Sequence, residues 1–263
     1  MLKEQLRTLY RRNRLLTVVG WIHLGLFIVV LLLSLVDDRQ VLSINTWVKP
    51  MKFMFSLTVY LWTIAWFSEY ISRPRWPIRT ISIIIAVVLI VESACILMQA
   101  GRATGSHFNI VTDFDAAVFT TMGVMIGIDL FMTALIFFMF TKPNSALEPI
   151  YLWSIRLGML LFLAGGLIGT VMIFNNAHTI GAADGGPGLP FLNWSTTAGD
   201  LRIAHGLALH AMQFIPLAGF VIGRSTYITK LPLRYFALAT FVAAYALAIY
   251  ATFRQAMAGQ PLF

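Results

Sequence analysis

The stretch ISIIIAVVLIVESACILMQA, Ile81–Ala100, decides the fold. Its twenty residues hold a single ionisable carboxyl, Glu92, and a helix of that length crosses about 30 Å of hydrocarbon. Outward from it, comparable apolar runs recur, and they predict seven spans at 15–36, 51–71, 81–100, 117–140, 151–174, 204–223 and 236–258. The breaks carry turn chemistry: DDRQ, SRPRWP, TKPNS and GRSTYITKLP. Over 263 residues, 59% are hydrophobic and 11% charged, with a mean hydropathy of +0.79. Soluble domains carry about 25% charge. The fold class is therefore all-α, a polytopic seven-transmembrane-helix bundle. The first run is too long for a signal peptide's apolar core and lacks a small-residue cleavage site, so it is expected to stay as an anchor. Cys95 is the one cysteine, which excludes an intrachain disulfide.

The net charge of +8 sets orientation rather than partner choice. Twelve cations fall on one side: Lys3, Arg7, Arg11, Arg12 and Arg14 before the first span, then Arg73, Arg75, Arg79, Lys142, Arg224, Lys230 and Arg234. Six fall on the other: Arg39, Lys49, Lys52, Arg102, Arg202 and Arg254. Lys and Arg stay cytoplasmic, so the amino terminus is expected inside and the carboxyl terminus outside. The domain reading is a basic interfacial segment over 1–14, which begins as an amphipathic helix on anionic headgroups, and a membrane domain over 15–263. Long external loops are expected at 101–116 and 175–203. The implied location is a bacterial inner membrane, with the lipid bilayer as partner, no nucleic acid, and room for a hydrophobic small molecule or a second copy.

Charge inside a span is costly, so each intramembrane ionisable group is a functional candidate. Here these are His23, Glu92, Asp129, Arg156 and His210, with Gln99 and Gln213 beside them. At about 1.5 Å per residue, Glu92 lies about 12 Å below the outer boundary, His210 about 9 Å and Gln213 about 13 Å. Gln213 follows His210 by three residues and shares its helix face, with Gly206 expected to admit a close neighbour. The expected acid–base cluster is Glu92, His210 and Gln213, with His23 beneath. The bland alternative is interhelical hydrogen bonding that only pins the bundle.

The outer loops bring a second set. His107, His178 and His205, with Asp113 or Asp200, have donors suited to Zn or Fe, then Cu or Mn. His205 and His210 are five apart, rotated by about 140° on a regular helix, so they serve separate sites. A b-type haem on His23 and His210 comes behind the metal reading, because their depths differ. Lys49 and Lys52 suit an acidic substrate or a lipid phosphate, though pairing with Asp37 and Asp38 is the simpler expectation. Ser195, Thr196 and Thr197 read as helix-cap chemistry.

Together, NTWVKPMKF, GSHFN and GDLRIAHGLALHAMQ resemble a family of uncharacterised bacterial seven-span membrane proteins, over most of the chain. That resemblance implies the fold and no activity. Microbial rhodopsins place a lysine in the last span, and ceramidase-like zinc hydrolases place histidines there; Phe236–Ala258 has neither. Three functions are thus expected. The first is a metal-dependent membrane enzyme, redox or hydrolytic, with Glu92 or Asp200 as acid/base and a lipid-like substrate. The second is a proton- or cation-coupled transporter using Glu92, His210 and Asp129. The third is a sensor or structural subunit of a membrane complex.

Overall fold

A computed structural model describes residues 2–71, 74–142 and 146–262. Arg73 and part of the TKPNS turn lie outside those residues. The chain is helical, with two pairs of two-residue strands, and it divides into two compact units, Met1–Met132 and Thr133–Phe263.

The first unit opens with α1, Leu2–Arg12, and α2, Arg14–Leu33. Only Asn13 separates them. It adopts an extended backbone and caps α2 by accepting from the Leu16 amide. The Thr17 hydroxyl, donating to the Leu9 and Asn13 carbonyls, binds the two helices together. After α2 comes a hairpin, β1 (Gln40–Val41) and β2 (Ile44–Asn45), with Val41 opposite Ile44. Its turn residues Leu42 and Ser43 both have positive φ, 53° and 65°. That is the backbone a two-residue hairpin requires, supplied here without glycine. Then follow α3 (Val48–Ser68), α4 (Trp76–Gly101) and most of α5 (Asp113–Thr141).

The α2–α3 seam rests on one glycine. A Cβ on Gly20 would meet Trp62 Nε1 at 2.2 Å, so the indole lies directly on the backbone there. Trp62 also donates to the Thr17 carbonyl at 3.3 Å.

The second unit contains the end of α5, α6 (Pro149–Asn175), the strands β3 (Thr179–Ile180) and β4 (Gly199–Asp200), α7 (Leu201–Arg224) and α8 (Leu231–Met257). Here α6 and α7 approach to backbone contact. A Cβ on Gly158 would meet the Ala211 carbonyl at 2.8 Å, and one on Gly165 would meet Ala208 Cβ at 2.9 Å. Small residues that let backbones touch are the usual means of joining helices in lipid, where hydrophobicity offers no net attraction. Gly206, expected to do this, has nothing within 4 Å of its would-be Cβ. The contact belongs instead to the glycines of α6.

Among the described residues, six helices are long and apolar enough to cross a membrane: α2, α4, α5, α6, α7 and α8. All seven expected spans fall on helices, but α3 is not among the six. Lys49, Lys52 and its hydroxyls and indoles lower its apolarity, while Met54, Leu61, Ile64 and Ala65 are wholly buried. The polarity suits a helix surrounded by protein.

Candidate functional site

The polar groups buried in the first unit converge on α4. Glu92 is 0% exposed, and among the described residues neither carboxyl oxygen has a hydrogen-bond partner. The next residue, Ser93, meets His23 of α2. His23 Nδ1 lies 2.8 Å from the Val19 carbonyl, which accepts only from an N–H, so Nδ1 carries the proton. Nε2 lies 2.8 Å from the Ser93 hydroxyl. A haem ligated through Nε2 would have to displace Ser93. Asp129 of α5 is 5% exposed and accepts from the Tyr60 hydroxyl of α3 at 3.0 Å. Asp129 and Lys49 both act electrostatically on Glu92, and Glu92 acts on Cys95. Two buried carboxyls, Glu92 and Asp129, an imidazole and the Lys49 ammonium thus share this unit.

Above them, Asp115 is saturated. It accepts from Gln99 Nε2 at 2.8 Å, from Arg102 at 2.5 Å and from the Thr112 hydroxyl at 2.7 Å. This clamp joins the end of α4 to the start of α5, so Gln99 is structural. Asp37 is held by Arg39 and by the Trp47 indole at 2.8 Å. Those hydrogen bonds, Arg39's first, keep its carboxyl well below the ordinary carboxylate range. Asn45 and Thr46 of the NTWVKPMKF motif are anchors too, donating to the Asp37 and Ala100 carbonyls.

In the second unit His205 Nδ1 meets the Gly165 carbonyl at 2.8 Å, and its ring lies against Gly169. His210 bonds the side chain of Gln213 and stands edge-on to Phe214. The two histidines do serve separate contacts. Asp200 is the N-cap of α7, accepting from the amides of Ser195 and Arg202 and from the Arg202 guanidinium. The Ser195 hydroxyl accepts from the Thr197 and Ala198 amides, which is turn chemistry. Arg156 donates to the Phe140, Thr141 and Lys142 carbonyls, closing the end of α5. In the loop between α6 and α7, Asp184 receives the His178 ring at 2.5 Å together with the His178 and Thr179 amides. Burial pushes its carboxyl up, but these bonds outweigh it and hold it below the usual range.

The expected groupings are divided between the units. Glu92 and His23 lie in the first; His210 and Gln213 lie in the second. Of the expected metal ligands, His107 and Asp113 are in the first, and His178 and His205 in the second. His107 meets the Ser106 hydroxyl at 3.1 Å and packs on Phe53, Phe108 and Phe119, while Asp113 is exposed. Among the described residues, no three His, Cys, Asp or Glu side chains stand together where they would hold a metal. Sequence reasoning missed Tyr60 and Ser93, because hydroxyls and phenols are common in membrane helices and nothing local marks these two.

Compared with known protein families, curated proteins and solved structures, the chain matches none. The likeness to seven-span bacterial proteins rests on the three motifs alone.

Proposed function

We propose that the protein is a seven-span transporter that moves protons, alone or with a cargo, and that Glu92 is the proton carrier. One observation carries the reading: a carboxyl wholly removed from solvent, with no hydrogen-bond donor on either oxygen among the described residues. A carboxylate ion in that setting is heavily penalised, whereas the protonated acid is tolerated. A structural carboxyl would instead be saturated, as Asp115 and Asp200 are. Asp129, supported by Tyr60, is the second acceptor on the path. Lys49 acts on Glu92 from the amino-terminal end of α3 and stabilises the anion formed when the proton leaves. His23, held between the Val19 carbonyl and Ser93, makes the wall beneath. With Glu92 sealed, the arrangement is an occluded one, and turnover requires opening to each side in turn.

In this reading α3 is the seventh span, since two lysines at its amino-terminal end leave the rest able to lie within protein. An odd number of spans then puts the termini on opposite sides, and the cation distribution puts the amino terminus in the cytoplasm of a bacterial inner membrane.

The test is proton entry into proteoliposomes loaded with a pH-sensitive dye, driven by a clamped potassium potential. The parent protein should admit protons faster than empty liposomes. Glu92→Gln should fall to the empty-liposome rate, and Asp129→Asn should fall part of the way. Equal rates for the parent and Glu92→Gln would overturn the assignment.

A further inference from the structure

At the end of the first unit where α1 meets α2 and α3 meets α4, a cleft of about 590 Å³ opens between the helix ends. Five guanidinium groups line it, those of Arg11, Arg12, Arg14, Arg75 and Arg79, against one acid, Glu69. Two of the five build the wall. Arg12 donates to the Trp66 carbonyl at 2.9 Å and stacks over the Trp66 ring at 3.7 Å. Arg75 donates to the Ser68 carbonyl at 2.7 Å and pairs with Glu69 at 3.3 Å. Arg11 and Arg79 are exposed and make no ion pair among the described residues. Asn13 Nδ2 donates to Ser82 Oγ at 2.8 Å and closes the floor between α2 and α4.

We propose that this cleft binds the phosphate of an anionic phospholipid. Guanidinium groups on opposite walls match phosphate oxygens in pairs, which a single basic helix face does not. The choice of a lipid over free phosphate comes from what lies below. Leu15 and Ile83 line the cleft together with the arginines. Ile83, Val87 and Ile90 then continue down one face of α4, all exposed, as a track for an acyl chain. Trp76, 68% exposed, and Tyr10, 41% exposed, stand beside the helix ends as interfacial aromatics do. The proposal does not depend on Glu92 or on transport.

The test is native mass spectrometry of the full chain in neutral detergent, titrated with dioleoyl phosphatidylglycerol or with dioleoyl phosphatidylcholine. The glycerol lipid should bind and the choline lipid should not. The double variant Arg11→Ala/Arg79→Ala should weaken phosphatidylglycerol binding about 30-fold, since each cation near the surface contributes about one kilocalorie. Arg11→Lys/Arg79→Lys should keep most of the affinity, Glu69→Gln should raise it, and Arg254→Ala should leave it unchanged. Equal binding of the two lipids, or of the parent and the alanine double variant, would overturn the proposal. Displacement of the lipid by an equal concentration of inorganic phosphate would overturn the lipid assignment and leave a free-anion site.

Discussion

The two units are built in the same order and use polarity in opposite ways. In each, a helix leads through a small antiparallel hairpin into a second, less apolar helix and then a third: α2, β1–β2, α3, α4 in one and α6, β3–β4, α7, α8 in the other. In the second unit the middle helix is joined to its neighbour through glycine. Gly158 and Gly165 put α6 on the backbone of α7, and the two histidines of α7 have partners close at hand, His205 on the Gly165 carbonyl and His210 on Gln213. The first unit has one such glycine, Gly20, covered by an indole rather than a helix backbone. Its remaining interior is threaded by side chains: His23 to Ser93, Tyr60 to Asp129, and Glu92 with no partner among the described residues. A seam of backbone contacts is stiff and chemically quiet. A seam of ionisable side chains costs stability and can exchange protons. The difference is one of packing: backbone contact joins α6 to α7, whereas side-chain hydrogen bonds join α2 to α4 and α3 to α5.

The sharpest way to break the comparison is at the glycine seam. Gly158→Val should destabilise the α6–α7 pair by about 3 kcal/mol, since the new atoms meet a carbonyl and the ring of Pro216 rather than a movable side chain. Thermal unfolding in detergent reads this, and proton flux per folded molecule should stay near the parent's. Next comes the loop between α6 and α7. Asp184→Asn should cost about 2 kcal/mol locally, seen as faster amide exchange across 178–200. The same contribution depends on pH with a definite sign. A carboxyl held low in the fold stabilises it above its unfolded value of about 4 and ceases to do so as pH falls towards the folded one. The Asp184 contribution to loop protection should therefore be lost only as pH falls below about 4.

In the first unit, His23→Leu should cost about 1 kcal/mol, the scale of an interhelical hydrogen bond in a membrane, and should lower flux far less than Glu92→Gln. The smallest effect is expected at the hairpin, where Leu42→Asn/Ser43→Gly replaces two side chains at positive φ with residues that favour it. A gain of about 0.5–1 kcal/mol should appear as a higher unfolding temperature with unchanged flux.

The helices were legible because hydrophobicity is a local property. Each apolar run lies on a helix, and the discrepancies sit at the ends, where caps decide. α7 starts at Leu201 because Asp200 closes its first turn, and α4 starts at Trp76 because Pro77 fits a first turn. Glu92, Asp129 and His23 were legible as candidates because charge amid apolar residues is expensive. Their partners were not. Depth along a helix can be counted from sequence, but the direction a side chain faces depends on how neighbouring helices pack. For that reason Gly206 was given a role that Gly158 and Gly165 fill. Arg156, one of the intramembrane candidates, has all its bonds on the carbonyls that end α5. The basic segment before α2 reads as an amphipathic helix on anionic headgroups, and only the fold brings Arg11 and Arg79 around one cleft.

The central claim is that Glu92 holds an exchangeable proton inside the first unit. Infrared spectroscopy of the reconstituted protein at neutral pH measures this directly through the carbonyl stretch of a protonated carboxylic acid. The account predicts such a band, shifted in deuterium oxide, absent from Glu92→Gln and still present in Asp129→Asn. A spectrum with no protonated-acid band, or one that Glu92→Gln leaves unchanged, would contradict it.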